Sequence, residues 1–183
     1  MSWRALFAMA CGSMWLGGAP ALAQPAAAGP TDPQIAAIVV AANQVDVDAG
    51  KLAKKHSKNK DVKAFAETMI RDHEAFNKQA KALAKKLKLK PEPNPTSKSL
   101  IDGGKKNVAA LKKLKGADFD KAYIDHEVAY HEQVLDALNT TLLPNAQNPE
   151  LKALLEKAPP VFQAHLDHAK QLQTSLASGG ASK

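Results

Sequence analysis

Apolar residues recur at steps of three and four along most of the chain, and the stretches where they do so predict four long amphipathic helices. The first opens at Asp32-Pro33, a capping residue followed by a proline suited to the first turn, and runs to about His56 with Ile38, Ala41, Val45, Ala49 and Leu52 on one stripe. Asn59 is the expected cap of the second, whose stripe is Val62, Ala66, Met69, His73, Phe76, Ala80, Leu83 and Leu87. The third opens at Asp118 or shortly after, carries Ile124, Val128, His131, Leu135, Leu138 and Leu142, and ends at Pro144. Asn148-Pro149 repeats the cap-then-proline start for the fourth, with Leu151, Leu155, Ala158, Phe162, His165, Ala169, Leu172 and Leu176 inward. Pro159-Pro160 removes two backbone donors from that helix and must kink or split it.

Between Leu89 and Asp118 lie 28 residues, opened by Pro91, Pro93 and Pro95 and far longer than a helical hairpin needs. This is a crossover. Leu100, Val108, Leu111 and Leu114 predict a short helix within it, weakened by Gly103-Gly104 and ended by Gly116. The expected fold is all-α, a four-helix bundle of ferritin-like connectivity in which the second and third long helices run parallel. Abundant Ala, Leu and Lys and thinly scattered β-branched residues agree with that class.

The N-terminus adds a compartment. Arg4, an apolar run from Ala5 to Leu16 and then Ala21-Leu22-Ala23 follow the pattern of a cleavable export signal over residues 1–23, too short and too interrupted by glycine to anchor in a bilayer. Removal before Gln24 leaves 160 of 183 residues, one domain in size, with no transmembrane helix expected. The mature chain would be periplasmic or otherwise associated with the envelope. The single cysteine, Cys11, lies inside the signal, so the mature protein has neither disulfides nor thiol chemistry. Residues 24–31 and 178–183, rich in Ala, Pro, Gly and Ser, are expected to be disordered tails around a domain over residues 32–177.

Three histidines stand where a bundle ordinarily places Leu or Ala. Counting from Asn59 and Asp118 puts His73 and His131 about 14 and 13 residues along parallel helices, roughly 20 Å in each case. They should be neighbours. The fourth helix returns against the third, bringing His165 within a turn of His131, and Glu127 shares the His131 face at a spacing of four. Three imidazoles and a carboxylate at one level suit a divalent transition metal, Zn, Cu, Fe or Mn, with Glu127 as the likeliest acid and Asp48 of the first helix as a less direct fifth member. The Glu-x-x-His pairs of di-iron bundles are missing, which argues against a di-iron oxidase. The alternative is a register-fixing network in which each histidine bonds a neighbouring helix. His126 and His168 fall off the main stripes, Asp72 points to another face than His73, and Asp118 and Asp120 suit the first turn of a helix.

These same positions carry a family resemblance. Phe65-Ala66, Met69-Ile70, Asp72-His73, Gly116, Phe119-Asp120, Tyr123-Ile124, His131 and His165-Leu166 resemble the pattern of the domain of unknown function 4142 family, exported bacterial proteins of ferritin-like fold whose members often carry the label outer membrane protein. The resemblance covers about Val40 to Leu176. It implies the fold and export and supplies no activity. Asp48 stands where the family usually has Glu, and the second proline of Pro159-Pro160 departs from its pattern.

Charge narrows the partners. Residues 51–121 hold 19 Lys and one Arg against eight acids, giving one face or end a basic surface. Its plainest role is solvation; the other is weak contact with anionic envelope lipids or polysaccharide. Nucleic acid is a poor partner, because Arg is scarce and no aromatic residues interleave the lysines. With no nucleophile motif, phosphate loop or paired-carboxylate signature, the sequence predicts a non-enzymatic protein.

Overall fold

The computed structural model describes residues 29–179. The expected export signal, most of the N-terminal tail and residues 180–183 lie outside the described residues. Helix α1 spans Asp32–His56, α2 Lys60–Lys86, α3 Pro95–Leu111 and α4 Gly116–Ala137. A π-helical turn over Leu138–Leu142 and the short α5, Leu143–Asn145, prolong α4; α6, Pro149–Leu155, and α7, Ala158–Ala177, complete the chain. No strand occurs among the described residues, and none of their helices is long and apolar enough to cross a membrane.

Side-chain ends explain the boundaries. Asn59 accepts the amides of Asp61 and Val62 at 2.9 and 3.2 Å, and Asn148 does the same for Glu150 and Leu151. The three-residue link Ser57 to Asn59 forces α1 and α2 antiparallel, as cross-pairs Lys51–Glu74 and Lys54–Glu67 record. Helices α4 and α7 are antiparallel too, paired by Glu132–Lys170 and by Gln173 donating to Asp125. Phe65 meets Tyr123 and His73 meets His131, a constant offset of 58 residues, so α2 and α4 run parallel, as the crossover predicts.

Two expectations need correction and a third takes its final form. The crossover helix is not short: α3 has 17 residues, passes through both glycines and lies along α1. A Cβ on Gly104 would sit 2.8 Å from Val45 Cγ2, so the residue that reads as a helix breaker is what lets α3 approach α1. α4 also begins two residues before Asp118, at Gly116, whose φ of +57° suits glycine. Finally, of the kink and the split open to the fourth helix, the split occurs. α6 ends at Leu155, the chain turns at Glu156-Lys157, and Pro159 and Pro160 fall in the first turn of α7, where missing amides leave no partner unsatisfied.

The core has two apolar clusters. One, around Leu52, Phe65, Met69, Phe119, Tyr123 and Leu166, lies toward the α1–α2 link. The other, around Ile35, Val39, Leu142, Leu155 and Phe162, fills the opposite end. Between them every long helix of the bundle proper supplies polar residues: Asn43 and Asp46 from α1, His73 and Asn77 from α2, Glu127 and His131 from α4, His165 from α7, each no more than 5% exposed.

Candidate metal centre

Burial this deep obliges each polar group to find a partner. Asn43 spends its amide N–H on the Val39 carbonyl at 2.7 Å, which turns its oxygen toward His73; that oxygen accepts from His73 Nδ1 at 2.8 Å. Asp46 Oδ2 lies 3.4 Å from the same nitrogen. His131 Nδ1 donates to the Glu127 carbonyl one turn earlier at 3.0 Å. His165 Nε2 donates to Asp72 Oδ2 at 3.1 Å, and Arg71 grips that carboxylate at 2.7 and 3.0 Å.

These bonds fix three tautomers. A carbonyl, an amide oxygen and a carboxylate only accept, so the bonded nitrogen carries the proton and the other keeps its lone pair. The nitrogens so left, His73 Nε2, His131 Nε2 and His165 Nδ1, are buried and have no hydrogen-bond partner. One ring nitrogen from each of the three lies within 4.8 Å of the others, and the ring centroids are 5.3–5.6 Å apart. Phe162 stacks on His73 at 4.9 Å and touches both other rings, covering the group with an apolar face.

The electrostatics favour neutral rings. Burial, reinforced by the other two imidazoles, holds His73 well below its usual pKa. Burial brings His131 down to about 4, and lowers His165 against the opposing pull of Asp72. Neutral imidazole is the form that binds metal. Three such lone pairs, each ring oriented by an oxygen on its far side, make a donor set that fits a transition metal.

The carboxylates sit elsewhere than expected. Asp48 is exposed on the outer face of α1, where its Oδ1 accepts from Gln44 at 2.8 Å; the α1 carboxylate in the core is Asp46, two residues earlier. Glu127 is fully buried, but it gathers with Asp46 and His131 rather than with the three converging imidazoles. Burial pushes Glu127 up to about 8, and burial together with Glu127 raises Asp46.

Residues 17–172 match the family profile described as a domain of unknown function (DUF4142). The chain belongs to this family. No curated protein and no solved structure matches it. The remaining histidines of this DUF4142 chain stand apart from the centre. His56 stacks on Phe119, His168 lies edge-on to Phe65 and is exposed, and His126 stacks on Tyr130 under α3. Asp120 is buried, with burial raising its pKa against a bond from Ser57, rather than serving an exposed first turn.

Two participants escaped the sequence reading. Asp72 orients His165 although its neighbour His73 faces the centre, because one residue further round the helix reaches α7. Asp46 carried a signal of its own: Val39, Asn43, Asp46 and Gly50 keep helical spacing on a second face of α1, which packs on α2 where Gly50 meets Met69 and Asp46 meets His73, while α3 covers the Val45 side. The lysines of the basic stretch do pair across the surface, Lys51 with Glu74, Lys54 with Glu67 and Lys121 with Asp125, as a solvated face does.

Proposed function

We propose that this protein binds one transition-metal ion through His73, His131 and His165 in the middle of its bundle, outside the cytoplasm, as a metal-holding rather than a metabolic protein. The observation that carries the reading is that His73, His131 and His165 each bring a ring nitrogen within 4.8 Å of the others, and that in each ring the nitrogen opposite the bonded proton is buried and unpartnered. A network built only to fix register would use both nitrogens of each ring, since an unmet buried acceptor costs about 1–3 kcal/mol. An all-nitrogen set without thiolate or carboxylate in its first contact suits Zn²⁺ or copper better than Mn²⁺. Binding rather than turnover follows from enclosure: the three rings are 1–5% exposed and Phe162 lies over them. Export rests on the N-terminal pattern of Arg4, the short apolar run and Ala21-Leu22-Ala23.

The test is a set of thermal melts on the expressed chain without an affinity tag, with and without Zn²⁺ or copper at pH 7.5. Metal should raise the wild-type Tm, and His131→Ala should abolish the rise, because only the folded state holds the ligands together. Affinity should also fall below about pH 6 as protons compete for the nitrogens. A wild-type melt indifferent to both ions would defeat the proposal.

A further inference from the structure

Behind the three imidazoles lies a second set of atoms that the one-ion reading leaves unused. Asp46 Oδ1, both carboxylate oxygens of Glu127 and the Tyr123 hydroxyl are buried and find no hydrogen-bond partner outside their own group, within which Glu127 is shared by Asp46 and Tyr123. All three residues are at most 2% exposed. The hydroxyl belongs to the same group through its hydrogen bond with Glu127. A ligand atom from each of Asp46, Glu127 and His131 lies within 4.8 Å of the others.

No Lys or Arg is among the buried residues described, and the ion-pair contacts of Asp46 and Glu127 are to imidazole nitrogens, 3.4 Å from His73 and 3.6 Å from His131. Those nitrogens are the protonated sides of neutral rings, so they offer a dipole and no full charge. Without a cation such a pair of carboxylates escapes the cost of buried charge by holding protons, and a divalent cation between the oxygens displaces those protons and takes up the ionised form.

We infer that Asp46 and Glu127 hold a second divalent cation, with Tyr123 and the Nδ1 edge of His131 beside it, so that the polar layer is a two-cation centre parted by the His131 ring. The first cation rests on the three-imidazole reading; the second rests on the oxygen atoms alone. Its donors select differently. Carboxylate and phenol oxygens favour Mn²⁺, Fe²⁺ or Zn²⁺, whereas the imidazole set favours Zn²⁺ or copper. Calcium is a poor fit, because it takes 6–8 oxygens and the cage supplies about half that number.

The experiment measures bound metal per chain after equilibrium dialysis of the full untagged protein against Zn²⁺, and separately against Mn²⁺, for wild type, Glu127→Gln, Asp46→Asn and His165→Ala. Circular dichroism confirms that each variant is folded, and the two carboxylate variants stand in for each other if one fails. Wild type should take two Zn²⁺; Glu127→Gln and Asp46→Asn should each keep one, and His165→Ala should keep the other. Mn²⁺ should bind once in wild type and His165→Ala, and be lost with either carboxylate. A single Zn²⁺ unaffected by Glu127→Gln and lost in His165→Ala overturns the second cation and leaves the imidazole site standing. A single Zn²⁺ lost in Glu127→Gln and kept in His165→Ala supports the carboxylate cage and overturns the imidazole reading instead. No binding in wild type overturns both.

Discussion

Around Phe65 the helices meet through apolar side chains, whereas about two turns along α2, around His73, the same helices meet through imidazoles, amides and carboxylates. The first region is finished by the protein alone. Phe65 packs edge-on to Tyr123 at 6.1 Å, Val62, Ala66 and Met69 close the surface beside it, and each is fully buried with no polar atom of its own to satisfy. The second region is ordered on its outside and unmet on its inside: each of the three imidazole protons is bonded, the lone pairs opposite have no protein partner, and Glu127 finds its hydrogen-bond partners only in Asp46 and Tyr123. On the proposed reading, stability and binding fall to different layers of one core. A residue in the dry layer should matter equally with and without metal; a residue in the polar layer should matter mostly with it.

The largest effect tests the dry layer. Phe65→Ala leaves a cavity where a whole aromatic ring was buried, and should cost about 3–5 kcal/mol in chemical denaturation, by the same amount with and without Zn²⁺. A loss below about 1 kcal/mol would show that this cluster does not carry the bundle.

A smaller effect separates the layers by pH, in metal-free protein with chelator present. Glu127 is raised from 4.5 to about 8 when folded, so the folded state keeps a proton that the unfolded chain has given up between those values. Its contribution is full below about 4.5 and is lost as pH rises through 8. His131 behaves oppositely: lowered from 6.5 to about 4, it contributes fully above 6.5 and loses that contribution as pH falls toward 4. Melts of wild type from pH 4 to 9 should therefore decline on both sides, and Glu127→Gln should keep the acid decline while its alkaline decline shrinks. Parallel profiles for the two proteins above pH 6.5 would contradict this account of Glu127.

The contrast between layers also explains what could be read from the chain. Helical stripes such as Val62, Ala66, Met69 and His73 display their own periodicity, so the four long elements, the parallel run of α2 and α4 and the all-helical class were legible. Which neighbour covers each face was less so. α1 is covered by α3 as well as by α2, so it has two buried faces; Asp46 and Asp48, about 200° apart around the helix axis, end on opposite sides, and spacing alone does not say which is inside. Gly104 reads locally as a weakness, since its use lies in a contact with Val45 nearly sixty residues away. The same holds for Asp72, whose partner His165 is 93 residues distant.

That Asp72–His165 bond supplies the finest test of the polar layer. Asp72 lies at its edge, partly exposed, its carboxylate held below the usual range chiefly by Arg71 and further by His165, with burial opposing. Because the carboxylate takes the proton on His165 Nε2, it dictates that Nδ1 is the nitrogen turned inward, and its charge makes that nitrogen a better donor. Asp72→Asn preserves the shape and can still offer an oxygen, but it removes the charge and allows the amide to turn its N–H₂ toward the ring, which would favour the wrong tautomer. The metal-free fold should hardly notice. Zn²⁺ affinity, measured by competition with a chromophoric chelator, should weaken about 10–100-fold, the range typical of lost outer-shell carboxylates. An unchanged affinity would mean that His165 is not oriented through Asp72 when metal is bound, and would shift the weight of the centre to His73, His131 and the carboxylates of Asp46 and Glu127.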